Sequence, residues 1–111
     1  MPGPSDIPTG NIANIMLLQA TLTPAAVVSA TAPQQTFTVS GLVVGDFVQV
    51  MKPTAQAGLG ISGARVTAAN TLGITFDNPT IADITPTAGE TYIILLVRRE
   101  NQGNGLPKAF V

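Results

Sequence analysis

The placement of proline and glycine constrains this chain more than any other feature of its sequence. Pro24, Pro33, Pro53, Pro79 and Pro86, with Gly41, Gly45, Gly58, Gly60, Gly63, Gly73 and Gly89, leave no uninterrupted amphipathic window of helical length after about residue 23. Between these breaks lie short apolar runs that alternate with period two or are continuously β-branched, which is the pattern of strands. Strands are predicted at Ile15–Leu22, Ala26–Ala30, Gln35–Ser40, Phe47–Met51, Ile61–Thr67, Thr71–Phe76, Ile81–Ile84 and Thr91–Arg98. A helix competes only at Asn11 to Leu22, where Ile12, Ile15, Met16, Leu18 and Gln19 loosely fit a 3.6 period. The continuation into Thr21-Leu22-Thr23 favours strand there as well.

The clearest local unit is a hairpin joining Ala64–Thr67 to Leu72–Phe76. Ala64 and Val66 alternate with Arg65 and Thr67, while Leu72, Ile74 and Phe76 alternate with Gly73 and Thr75, so each strand has one face for a core. Thr36-Phe37-Thr38-Val39 repeats the alternation with Phe37 and Val39 inward and the threonines outward. The run Tyr92-Ile93-Ile94-Leu95-Leu96-Val97 does not alternate. Two apolar faces on one strand imply either cover by the chain's own arms or an outer face that meets another chain.

The fold class expected from these patterns is all-β, an antiparallel β-sandwich of jelly-roll-like type with extended arms at both ends. Residues 1–11 form the N-terminal arm, where Pro2, Pro4 and Pro8 forbid interior strand; residues 12–100 form a single sandwich domain; residues 101–111 form a C-terminal tail. A length of 111 residues fits one core, and an apolar fraction of 45% supplies enough surface to bury without disulfides, which the absence of cysteine rules out.

Composition directs attention away from chemistry. The sequence has no His, no Cys and no Trp, and only 10% of its residues are charged, whereas acid–base catalysis, metal sites and activated nucleophiles draw on those residue types. An enzyme is therefore not expected, nor is a cofactor or metal. Lys52, Arg65, Arg98, Arg99 and Lys108 make no basic stripe, and aromatics are scarce, so nucleic acid is not an expected partner. The longest apolar stretch, Tyr92 to Val97, is far short of the roughly 20 residues that span a bilayer, so no membrane helix is expected. Asp6 and the early prolines sit where a secretory signal carries basic residues and an apolar run, which points to a protein made in a cytoplasm. A net charge of −1 gives copies little mutual repulsion and suits an assembly, with a homodimer or homotrimer expected.

Two motifs invite chemical readings that their settings refuse. Gly58-Leu59-Gly60-Ile61-Ser62-Gly63 has the spacing of a dinucleotide-binding loop, but no good strand precedes it and a strand rather than a helix follows, so it is expected to be a flexible or bulged loop leading into a strand. Asp6, Asp46, Asp77, Asp83, Glu90 and Glu100 stand far apart and mostly in turns; Asp46, Asp77 and Glu90 are expected to cap backbone groups there. Arg98-Arg99 ends the most apolar strand and is expected to act as a charged gatekeeper against aggregation, with contact to an acidic partner as the alternative.

Contacts are expected instead at apolar positions that have no evident place in one domain's core. These are Ile7 and Ile12 near the N-terminus, the outer residues Ile93, Leu95 and Val97 of the last strand, and Leu106, Phe110 and Val111 in the tail.

Several runs carry a resemblance. Thr36-Phe37-Thr38-Val39-Ser40-Gly41-Leu42, Gly45-Asp46-Phe47-Val48, Lys52-Pro53-Thr54, Ala64-Arg65-Val66, Asn70-Thr71-Leu72-Gly73-Ile74-Thr75-Phe76 and Thr85-Pro86-Thr87-Ala88-Gly89-Glu90-Thr91-Tyr92 resemble those of small virion structural proteins of tailed bacteriophages, over about residues 36 to 98. The resemblance implies a β-sandwich or jelly-roll protein that decorates or cements a capsid, binds across neighbouring major capsid protein subunits, and resides on the virion surface. It brings no catalytic residues. The competing expectation from a different class is a tail-associated or adhesin-like module for a host-surface glycan, disfavoured by one Tyr and four Phe where sugar sites lean on aromatic faces.

Overall fold

The computed structural model describes residues 12–99. Within them the chain is all-β, with six strands and no helix: β1 (Ile12–Leu22), β2 (Gln34–Thr38), β3 (Phe47–Met51), β4 (Gly60–Ala68), β5 (Thr71–Asp77) and β6 (Glu90–Arg99). They form two three-stranded antiparallel sheets, ordered β1-β6-β3 and β2-β5-β4. The ambiguous Asn11–Leu22 segment resolves as strand from Ile12 onward, because ten of its residues find register partners along β6.

The central strand of each sheet supplies the core. Tyr92, Ile94 and Leu96 of β6 and Leu72, Ile74 and Phe76 of β5 are all fully buried, and they join Leu22, Val27, Val39, Leu42, Val48 and Val66 in one cluster. At about 2 kcal/mol for each fully buried side chain, the six central residues alone contribute on the order of 12 kcal/mol of gross burial, as much as the whole net stability of a typical domain. The alternation expected for the β4–β5 hairpin and for Phe37 and Val39 is the one observed.

Two expected strands do not form. Ala26–Ala30 and Ile81–Ile84 meet only at isolated bridges, Val27 to Ile84 and, beyond them, Thr31 to Asn78. The cause is Asn78, fully buried, whose Nδ2 donates to the carbonyls of Val27 and Ala82 at 2.9 Å each. Its Oδ1 accepts from the Thr80 amide and hydroxyl, and Ser29 N–H donates to Asp83 Oδ1. The Val27–Ile84 bridge keeps both of its backbone bonds, but at the next ladder position Asp83 takes the Ser29 amide and Asn78 and Thr80 take the Ala82 carbonyl, so pairing stops there and both segments become ordered loops.

Phe47–Met51 forms with the expected ends, and no end of the other strands moves by more than three residues. β2 stops at Thr38 because Asn70 N–H, opposite Val39 at the tip of the β4–β5 hairpin, donates to the Leu42 carbonyl and does not return the bond that Val39 N–H gives it. Asn70 sits in the left-handed region at φ 57°, which Asn tolerates better than most residues, and its Oδ1 accepts from Gly41 N–H at 2.8 Å. The glycine-rich run behaves as expected of a bulged loop: Gly58 takes φ 79° in the turn and the β4–β5 register shifts between Ile61 and Gly63. The terminal arm and tail, and with them Ile7, Leu106, Phe110 and Val111, lie outside the described residues.

Candidate functional site

Antiparallel register brings three rows of side chains together on the outer face of the β1-β6-β3 sheet. Ile15, Val97 and Phe47 lie side by side, then Leu17, Leu95 and Gln49, then Gln19, Ile93 and Met51. Residues directly opposite one another share a face, so the burial of Tyr92, Ile94 and Leu96 inward forces Ile93, Leu95 and Val97 outward. Seven of the nine positions are apolar and none is charged. Leu17 is 70% exposed, Ile15 58%, Phe47 56% and Met51 55%, while the three β6 residues are half-buried by the flanking strands.

The outer face of the second sheet is its chemical opposite. Gln34, Thr75 and Gly63 form one row and Thr36, Gly73 and Arg65 the next, with Thr38 and Thr71 paired beyond. Arg65 Nε donates to Gln34 Oε1 at 2.8 Å across β5, directly over Gly73. A Cβ on Gly73 would stand 2.9 Å from Gln34 Cδ and Oε1 and from Thr67 Cγ2, so the bridge depends on glycine at that position. This face is an ordinary solvated β-surface, as the threonine-rich alternation leads one to expect. The contrast matters because both faces belong to one small fold: one sheet is finished toward water and the other is not.

The apolar face continues around the edge strand β3. A groove of about 640 Å³ is lined by Phe47, Gln49, Met51, Ile61, Ala64 and Leu95, among others. Its volume is that of a small-molecule site, but Gln49 and Ser62 are its only polar side chains and no charged group converges on it. Chemically it is an extension of the apolar sheet face.

The charged residues serve the fold around this face. Asp46 precedes β3 and Lys52 follows it, and each ties to β6. Arg98 Nε and Nη2 donate to Asp46 Oδ1 and Oδ2 at 3.0 and 2.8 Å, and Nη2 also donates to the Gly41 carbonyl. Asp46 Oδ2 accepts from Val43 N–H as well, so its expected capping role holds. The Arg98 guanidinium is the main cause that holds the Asp46 carboxyl below its ordinary pKa. At the other end Lys52 Nζ lies 2.8 Å from Glu90 Oε1, and Thr54 Oγ1 donates to Glu90 Oε2. Lys52 and then Thr54 lower the Glu90 pKa.

Two expectations change in consequence. Glu90 does not cap its own turn, because its carboxylate is drawn to Lys52 across the sheet. Arg98 is engaged inside the molecule rather than standing free as a gatekeeper or partner contact; only Arg99 of the pair is exposed. Asp83 serves the Ser29 amide, and among the described residues no three acidic side chains gather into a metal-binding group.

Of the expected contact positions, Ile93, Leu95 and Val97 are brought together at the middle of the apolar face. Ile12 stands at its margin, 37% exposed and paired with Arg99, beside a register shift between Ile12 and Asn14. Ile15, Leu17, Phe47 and Met51 were not singled out in the sequence. Their period-two spacing was visible, but their alignment with β6 depends on pairings across dozens of residues. No family model, no curated protein and no solved structure matches this chain.

Proposed function

We propose that the two sheets face one another as a β-sandwich of jelly-roll type and that the protein is a non-enzymatic structural component of a virion. In this reading it decorates or cements the capsid of a tailed bacteriophage by laying its β1-β6-β3 face across neighbouring major capsid protein subunits. The observation that carries the reading is the uncharged, exposed apolar face on one sheet, set against a face on the other that carries polar and small side chains only. The resemblance of residues 36 to 98 to small virion proteins agrees with it.

Magnitudes favour a role in an array. Three strands about 4.8 Å apart and five residues of about 3.4 Å rise give a face on the order of 300 Å² with its side chains. At ~25 cal/mol per Å² its cover is worth about 7 kcal/mol, which falls within the range of about 4–15 kcal/mol that association itself costs. One copy alone therefore holds weakly, and retention comes from many copies engaged at once on a repeating surface. The glycan-binding alternative gains no comparable support, since Phe76 and Tyr92 are buried, Phe37 is half-buried and Phe47 alone among the described aromatics is exposed.

Gradient-purified particles of the phage encoding this chain test the proposal. The chain should co-sediment with intact heads in a fixed copy number set by shell symmetry. Its absence from particles, or its presence in variable traces, would remove the reading.

A further inference from the structure

We propose that β1 is a self-pairing edge: two copies of this chain join their β1 strands antiparallel about a two-fold axis, centred on Leu17. The two three-stranded sheets then merge into one of six strands, and their apolar outer faces become continuous. The inference deepens the assembly reading above, since a pair of joined copies engages a shell through two faces at once.

Four strands form sheet edges among the described residues, and three of them carry features that discourage pairing with another chain. β3 is five residues long and flanked by Asp46 and Lys52; β2 is also five residues long, with Gln34 held by Arg65. β4 carries Arg65 and two register shifts. Short length, charge and bulges are the usual devices by which natural edges avoid pairing. β1 lacks all of them over most of its length. It is the longest strand, at eleven residues, with no Pro, no Gly and no charged side chain, and its only irregularity lies at one end, between Ile12 and Asn14. No charged residue occurs anywhere from Ile7 to Gly45.

The exposed row of backbone N–H and C=O groups selects an extended strand as occupant, and an uncharged strand offers no repulsion to its own copy. Antiparallel pairing requires that opposed residues share a face, so a two-fold axis must set one residue against itself. Leu17 is the midpoint of Ile12–Leu22, and centring there uses the whole strand. Ile15 then faces Gln19 of the partner subunit on the outer side, and Met16 faces Leu18 of the partner subunit on the inner side. That inner pairing answers a second observation. Met16 and Leu18 pack against the core yet remain only partly buried, and a second copy would supply the missing cover.

A fully paired strand at about 3.3 Å per residue and about 10 Å deep gives a footprint of roughly 360 Å² per copy. Stable interfaces bury about 800 Å² per partner, so the pair should be reversible and concentration-dependent.

The absence of cysteine makes the test direct, because a single introduced thiol can form only an intermolecular disulfide. Full-length Leu17→Cys, oxidised at ~100 µM where weak pairs are populated, should give predominantly a disulfide dimer. Thr21→Cys, on the same strand but far from the axis, and Thr36→Cys on β2 should not. In sedimentation equilibrium, Leu17→Lys should weaken dimerisation at least tenfold with an unchanged melting curve, since it sets like charges directly opposite. Equal cross-linking at all three cysteine positions, or a chain that stays monomeric at ~1 mM, overturns the inference. A monomeric chain that still co-sediments with heads would overturn self-pairing while leaving the virion reading standing.

Discussion

Replacing Phe47 and Met51 together by threonine separates binding from folding. Both residues lie on β3, away from the β1 edge, and are 56% and 55% exposed. Burying a Phe or Met side chain is worth about 2–2.5 kcal/mol, so more than half of that value is unused in the isolated fold. Allowing for what threonine retains, the double variant should lose about 2 kcal/mol of association, a factor of roughly 30 at ~1.36 kcal/mol per decade. The part already buried is smaller, and threonine suits a strand, so folding stability should fall by only ~1 kcal/mol, near 5 °C for a domain of about this size. Leu96→Ala is the contrasting case, since Leu96 is fully buried and its truncation should cost about 2–5 kcal/mol. The assay is a sedimentation isotherm of purified chain on particles that lack it, paired with a thermal melt by circular dichroism. A double variant that binds within twofold of the parent, or that unfolds as readily as Leu96→Ala, would refute the assignment of this face to binding.

Other consequences follow from the charged and polar groups. Arg98→Ala strips Asp46 of its bidentate partner and frees the Gly41 carbonyl, and should lower the midpoint of chemical denaturation. Asp46 and Glu90 have folded pKa values below their ordinary 3.8 and 4.5, so their contribution is complete above those values and is lost as pH falls through the lower folded ones. Asp46→Asn should accordingly flatten the decline in stability on the acid side, and an unchanged acid limb would count against the Arg98 pairing. Tyr92 is fully buried and its hydroxyl has no hydrogen-bond partner among the described residues, so Tyr92→Phe should keep or raise stability, by up to ~1 kcal/mol. Burial, and then Glu90, raise the Tyr92 pKa above its ordinary 10.0; the unfolded chain gives up the proton first, stability falls above that pH, and Tyr92→Phe should remove the loss. Asn78→Ala deletes four hydrogen bonds from a fully buried site and should lower stability by about 2–4 kcal/mol, with faster amide exchange at Val27 and Ile84 as the local signature.

The sequence alone determined that this chain is built from strands, where six of them lie, and which residues of each alternate inward. Backbone sterics at proline and glycine and the period of two are local properties, so Phe47–Met51 and the β4–β5 hairpin could be read directly. It also indicated that Ile93, Leu95 and Val97 lack a place in a one-sided core, because a strand with two apolar faces is incomplete by itself. Tertiary structure alone decided the rest. The readings at Ala26–Ala30 and Ile81–Ile84 failed because Asn78 and Asp83 hydrogen-bond the Ala82 carbonyl and the Ser29 amide, which would have carried the ladder beyond Val27 and Ile84. The apolar face needed Ile15, Leu17, Phe47 and Met51 beside β6, and the charges needed partners: Asp46 finds Arg98 across 52 residues of chain. Such pairings are set by sheet register, which one strand's sequence cannot specify, because the partner's position is a property of the whole fold.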